Sequence, residues 1–117
     1  MIEIIEQSRE LTKVEKYLMT QDNSVKSVKD IEDGTSIPVE AYVIFKDTNS
    51  QGEDVQILSI LTSNKEVYAT QSETFKRSFI DMFNVMDGDK FSIIKRSGTT
   101  NAGRPFVNCS LDIDSVE

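Results

Sequence analysis

The apolar residues of this 117-residue chain change their spacing twice, and these changes limit the folds open to it. From residue 37 to residue 70 they favour a spacing of two, in three runs separated by polar turns, which is typical of β-strands. From residue 75 to residue 86 they follow the spacing of an amphipathic helix, with Ser72 as a suitable N-cap and Gly88 at its C-terminal end. The spacing of two then returns, which predicts strands at 90–97 and 104–113.

Three strands, one helix and two further strands do not alternate as they would in a parallel α/β protein. The same order is found in the OB-fold, a five-stranded barrel, with the helix between the third and fourth strands. We therefore predict a mainly β protein with a five-stranded OB-fold-like barrel of order β-β-β-α-β-β. An open α+β sandwich is the alternative architecture.

The first 33 residues lie outside this pattern. Thr12 and Glu15 have the spacing of a capping box, and apolar residues follow them at helical spacing. We predict an N-terminal extension, residues 1–33, with one short helix. The barrel domain is predicted at residues 34–113, and residues 114–117 form a short acidic C-terminal end.

Positive charge is concentrated in the last quarter of an acidic chain. The net charge is -7, and residues 1–89 carry nine basic and seventeen acidic side chains. Residues 90–111 carry four basic side chains and no acidic one. Because salt screens charges over about 8 Å under physiological conditions, this local excess matters more than the total charge. The same segment has the pattern of a β-hairpin, with a polar loop bounded by Gly98 and Gly103.

A basic hairpin with phenylalanines in both arms suits an anionic ligand that also stacks, and single-stranded nucleic acid is such a ligand. Aromatic rings on the sheet would stack on bases, while lysine and arginine would neutralise phosphates. The strand of DNA would cross the outer face of the first three strands and the hairpin. The predicted DNA-binding residues are Tyr42, Lys46, Tyr68, Lys95, Arg96, Arg104 and Phe106.

The alternation of each strand decides which aromatic rings point outward. Tyr42 falls on the face opposite the apolar set of the first strand, and Phe106 falls opposite Val107, Cys109 and Leu111. Packing against neighbouring strand residues stays open as an alternative for Tyr42 and for Tyr68.

The composition argues against an enzyme. The chain has no histidine and one cysteine, which excludes Ser-His and Cys-His nucleophile pairs and a four-ligand zinc site. Carboxylate chemistry stays open, but we expect no catalysis, no cofactor and no metal. A chain without a long apolar run or a basic N-terminal start is expected to be cytoplasmic, with no membrane partner.

Several blocks between residues 34 and 111 resemble one protein family. They comprise Gly34 to Ala41, Val67-Tyr68, Ser72 to Thr74, Phe91, the loop from Gly98 to Gly103, Phe106 and Leu111. Their order and spacing are similar to those of the small single-stranded DNA-binding proteins of tailed phages of Gram-positive bacteria. This chain departs from the family in the loop, because it has Asn101 or Ala102 where relatives tend to carry lysine, and its positive charge is at Arg104 instead.

The resemblance implies an OB-like fold, no catalysis, and sequence-independent coating and protection of single-stranded DNA in phage DNA replication or recombination. It implies the host-cell cytoplasm as the location, and it supports Lys46, Tyr68 and Phe106 as site residues. Replication proteins are expected as further partners, and a homo-oligomer stays open. The alternative is a protein-interaction module, a replication accessory or an inhibitor of a host nucleic-acid enzyme, whose acidic residues would engage a basic partner.

Overall fold

The computed structural model describes residues 2–22 and 24–115, and strands dominate them. Glu117 of the predicted acidic end therefore lies outside the described residues. The two α-helices of these ranges are α1 (Lys13–Thr20) and α2 (Glu73–Met86), and 3₁₀ turns occupy Val28–Asp30 and Ile113–Ser115. The strands are β1 (Glu3–Gln7), β2 (Lys26–Ser27), β3 (Ser36–Thr48), β4 (Asp54–Thr62), β5 (Val67–Thr70), β6 (Phe91–Thr99) and β7 (Pro105–Leu111).

These strands form one sheet of order β2-β5-β4-β3-β6-β7, which curls into a half-open barrel. The long strand β3 pairs with β4 along one edge, and along the other edge it pairs first with β6 and then with β1. β2 pairs parallel with β5, whereas the other pairs are antiparallel. The mainly β class is confirmed, and β1 and β2 are additional to the five predicted strands.

The N-terminal segment lies on this sheet. The capping box predicted for α1 is present, because the Thr12 hydroxyl accepts from the Glu15 N–H while the Glu15 carboxylate accepts from the Thr12 N–H. β1 was not predicted, and its five residues are all exposed, so no buried face marks it in the sequence. Its position depends on backbone pairing with β3, which local sequence patterns do not report.

Both faces of the sheet are covered by apolar side chains. On the inner face, α2 packs Phe75, Phe79 and Met86 against β3, β4, β6 and β7, and we call this group the inner cluster. On the outer face, Leu11 and Met19 pack against β3, β4 and β5, and we call this group the outer cluster. The segment before residue 34 therefore contributes to the core, and α1 covers the outer face of β4 and β5.

A β-bulge in β3 decides which of its side chains join each cluster. The register with β4 shifts between Val39 and Ala41, so Glu40 is an extra residue at this point. Because one extra residue inverts the alternation beyond it, Val39 shares the inner cluster with Tyr42, whereas Ala41 joins the outer cluster. The prediction of one unbroken alternation along this strand is therefore wrong after Val39.

Candidate nucleic-acid interface

The β6–β7 hairpin has one face in the core and one face outside it. In its register Lys95 pairs with Cys109, and Cys109 belongs to the inner cluster. Arg96 follows Lys95 directly and shares its face of the strand with Gly98, which pairs with Phe106. Because successive side chains of a strand point to opposite faces, Arg96 and Phe106 lie on the outer face. The outward placement predicted for Phe106 agrees with this register.

The ring of Phe106 covers the neighbouring strand at Gly98. A Cβ atom added to Gly98 would lie 2.7 Å from Cζ and 2.9 Å from Cε1 of Phe106. The ring thus fills the place of the missing side chain, in the way that an aromatic residue compensates for a glycine in the opposite strand. The Phe106 side chain is half-buried, so the ring is held by the sheet and still reaches solvent.

Two exposed arginines lie two positions before this pair, Arg96 before Gly98 and Arg104 before Phe106. The Arg96 Nε donates to the Ser110 hydroxyl at 3.2 Å, which leaves the remaining guanidinium donors without a protein acceptor among the described residues. Neither guanidinium forms an ion pair with any carboxylate that the structure describes. The charge of Arg96 contributes to lowering the pKa of Asp33, so a described carboxylate partly compensates it. Both guanidinium groups still keep exposed donors for an anion at the hairpin surface.

Lys95 does not share this surface. Its side chain is 6% exposed, and its Nζ donates to the Asp33 carboxylate at 2.9 Å. Asp33 also accepts from the Ser97 hydroxyl, and the hydrogen bond from Lys95 is the main cause that lowers the pKa of Asp33. The expectation that Lys95 is a free cation facing phosphates is wrong, because its charge is already matched at the inner face.

Tyr42 is buried rather than exposed. Its ring makes edge-to-face contacts with Phe79 and Phe83, at centroid distances of 5.3 Å and 4.9 Å, and its hydroxyl donates to Glu6 at 2.9 Å. Burial raises the pKa of Tyr42 above its ordinary value. The bulge at Glu40 turns this side chain inward, so the exposed stacking ring predicted at this position is wrong.

Lys46 and Tyr68 lie outside the hairpin, and each has a partner. The Lys46 Nζ lies 3.4 Å from the Glu3 carboxylate of β1. The Tyr68 hydroxyl donates to Glu66 at 3.1 Å, and the Lys26 Nζ lies 5.7 Å from the centroid of its ring. Tyr68 is half-buried, so it keeps some accessible ring surface, but it is on β5 and not beside Phe106.

The predicted DNA path across the outer face of the first three strands is blocked. Met19 of α1 is fully buried in the outer cluster, where it packs with side chains of β3, β4 and β5. Of the seven predicted residues, the structure brings together Arg96, Arg104 and Phe106 on one exposed hairpin.

One exposed group of basic and aromatic side chains was not predicted. Tyr17 is 52% exposed on α1, and with Lys13, Lys16, Ile2 and Ile4 it lines a cleft of about 310 Å³ between α1 and β1. The helical spacing of these lysines and Tyr17 was visible in the sequence. The buried residue of α1 is Met19, so Tyr17 is left on the exposed side of the helix.

The side chain of Cys109, the one cysteine of the sequence, is buried. Burial raises the pKa of the Cys109 thiol to about 12, so it stays protonated near neutral pH. Within residues 2–22 and 24–115, no three His, Cys, Asp or Glu side chains gather closely enough to hold a metal ion. Neither helix in those ranges has the length and apolar character needed to cross a membrane.

Comparison with protein-family models, with curated proteins and with solved structures gives no match. The functional assignment therefore depends on the residues and geometry of this chain.

Proposed function

We propose that this protein binds single-stranded DNA without sequence preference, through the outer face of the β6–β7 hairpin. The observation that carries the proposal is that one hairpin exposes Arg96 and Arg104 beside the half-buried Phe106 ring, and that neither guanidinium forms an ion pair with a described carboxylate. A ring held on a sheet offers a π-face to any base. A guanidinium binds phosphate oxygens through several donors at once.

The curled sheet supports the same proposal, since OB-fold barrels bind oligonucleotides through strand faces and loops. An OB-like fold, and a role in coating DNA during phage replication or recombination in the host cytoplasm, follow from the resemblance of residues 34–111. The covered outer face of β4 and β5 confines the proposed contact to the hairpin. We therefore expect a short binding site and moderate, salt-dependent affinity.

Fluorescence anisotropy with a labelled oligo-dT at several salt concentrations tests this function. Arg96→Ala and Arg104→Ala should each weaken binding and reduce the slope of log K against log salt by about 0.7, the value for one phosphate contact on a single strand. Phe106→Ala should weaken binding by about 1–3 kcal/mol, because one base loses its stacking partner, and should leave the slope unchanged.

Arg77→Ala is the matched control, because Arg77 is exposed on α2 and its loss changes the net charge by the same amount. It should leave both affinity and slope unchanged. The proposal fails if oligo-dT does not bind micromolar protein at low salt, or if Arg77→Ala weakens binding as much as Arg104→Ala.

A protein-interaction module is the second candidate function, and the cleft between α1 and β1 favours it. Val14 and Tyr17 are 67% and 52% exposed, and Lys13 and Lys16 form no ion pair with a described carboxylate. The sequence suggested a basic partner, whereas this cleft favours an acidic peptide with apolar side chains. An NMR titration in which such a peptide shifts the signals of α1, and oligo-dT shifts none of the hairpin signals, would favour this function over the first.

A further inference from the structure

The half-open barrel leaves a cavity at its seam. A space of about 440 Å³ lies between the end of β5 and β7, and we call it the seam cavity. The strand order ends at β7, and β5 is extended on its free side by only the two residues of β2. Six of the residues that line the cavity are Ser27, Lys29, Ile57, Ala69, Gln71 and Val107.

One hydrogen bond holds the seam together at its base. The Ser72 hydroxyl donates to the Val107 carbonyl of β7 at 3.0 Å and accepts from the Phe75 N–H at the start of α2. Ser72 follows β5 by two residues, so this hydrogen bond joins the β5 side of the cavity to β7. A preformed cavity of this kind needs little reorganisation to take a ligand.

The cavity combines apolar walls with polar groups that solvent reaches, since Lys29 and Gln71 are exposed and Ser27 is half-buried. Ala69 and Val107 are apolar, whereas Ser27, Lys29 and Gln71 supply a hydroxyl, an ammonium and an amide. None of these three side chains makes a hydrogen bond or an ion pair with another described residue. Ligand sites are typically lined in this way, and their volumes are about 300–1,000 Å³.

The chemistry of these groups indicates a flat, hydrogen-bonding and negatively charged ligand. The Gln71 amide can donate and accept at once, which suits the edge of any nucleobase. The Lys29 ammonium suits a phosphate. The volume is compatible with either a pyrimidine or a purine.

The position of the cavity connects it to the hairpin. Phe106, the proposed stacking ring, directly precedes Val107 in β7, and Val107 lines the cavity. Because successive side chains point to opposite faces, Phe106 faces outward and Val107 faces the inner cluster. A single strand that stacks one base on Phe106 must therefore cross the edge of β7 to reach the cavity.

We propose that the seam cavity receives one unstacked base of the bound single strand, with Gln71 and Ser27 on the base edge and Lys29 on the adjacent phosphate. This inference depends on the proposed function. Because Gln71 accepts any base edge, the contact anchors the strand without selecting its sequence.

The test uses Gln71→Ala, which removes the amide, and Ala69→Met, which fills the cavity from its wall. The matched control is Gln56→Ala, since Gln56 is an exposed glutamine on β4 that does not line the seam cavity. Removal of one or two hydrogen bonds should reduce the affinity for oligo-dT by about three- to tenfold. In an NMR titration, oligo-dT should shift the Ala69 methyl and Gln71 side-chain amide signals together with the Phe106 ring signals.

The outcomes separate the two proposals. If oligo-dT does not bind the full protein, both proposals fail. If it binds with the expected dependence on Arg104, but Gln71→Ala and Ala69→Met bind as tightly as Gln56→Ala and the Ala69 methyl does not shift, only the seam-cavity inference fails. Thermal denaturation of each variant checks that a loss of binding is not a loss of folding.

Discussion

Replacement of Gly98 by alanine should destabilise the protein only while Phe106 is present. The added methyl group would lie 2.7 Å from the Phe106 Cζ, well inside van der Waals contact, so the ring must leave its place. The backbone itself accepts alanine, because Gly98 does not have a positive φ, unlike the other glycines of the chain. In a strand, alanine is then favoured over glycine by about 0.5–1 kcal/mol.

The free energy lost when the Phe106 ring leaves its place opposes this gain from alanine. Full burial of a phenylalanine stabilises a protein by about 1.5–3 kcal/mol, so a ring that is more than half buried loses about 1–2 kcal/mol when it moves into water. In the wild-type background the difference between the two effects leaves Gly98→Ala destabilised by about 0–1.5 kcal/mol, with a midpoint of about 0.75 kcal/mol. In the Phe106→Ala background the clash is gone, and the same substitution should stabilise the protein by about 0.5–1 kcal/mol.

Urea denaturation of the wild type, both single variants and the double variant gives the coupling free energy of this cycle. We expect a coupling of about 1–2 kcal/mol, with the sign of the Gly98→Ala effect reversed between backgrounds. Gly103→Ala is the control in the same hairpin, because Gly103 has φ +83° and no atom within 4 Å of an added Cβ. It should destabilise both backgrounds equally. A Gly98–Phe106 coupling below about 0.5 kcal/mol would refute the packing of the ring over Gly98.

Four further predictions concern stability and reactivity. Ser59→Ala should raise the free energy of unfolding by about 1 kcal/mol, because this buried hydroxyl has no partner among the described residues. Ser72→Ala should lower the free energy of unfolding by about 1 kcal/mol, because the Ser72 hydroxyl caps α2 and donates a hydrogen bond to β7. Urea denaturation measures both variants, and a change of the opposite sign in either variant would contradict the prediction for that residue. The hydrogen bond from Arg9 lowers the pKa of Glu15 from 4.5 to about 2, so its stabilisation is present above pH 4.5 and is lost as the pH falls toward 2. Glu15→Gln should therefore lose less stability than the wild type over that range, and equal losses would count against the ion pair. Burial raises the pKa of the Cys109 thiol to about 12, so a disulfide reagent such as DTNB should label it slowly in the native protein and quickly in urea; rapid native labelling would show that the thiol is accessible.

Some elements could be predicted because their signals are local. The capping box of Thr12 and Glu15 and the N-cap of Ser72 involve residues three positions apart, and both helices begin where these caps indicate. The alternation of β7 is unbroken, so the outward direction of Phe106 followed from its immediate neighbours. The mainly β class followed from the same kind of pattern.

The errors in the predicted site have long-range causes. Lys95 is matched by Asp33, which lies 62 positions earlier in the chain, and no local pattern reports that contact. Tyr42 turns inward because a bulge inserts Glu40 into the register with β4. Met19 covers a face that the strand patterns leave open, since its helix returns to the sheet from outside the predicted barrel.

The amino-acid sequence by itself determined the two helices, the alternation of β7, the concentration of positive charge between residues 90 and 111, and the absence of histidine chemistry. These properties depend on composition and on neighbours a few positions apart. Only the tertiary structure decided which charges and rings remain exposed, because burial and ion pairing depend on segments that meet across the sheet. The tertiary structure leaves three of the seven candidate residues together on one hairpin, and it forms the seam cavity at the edge of that hairpin.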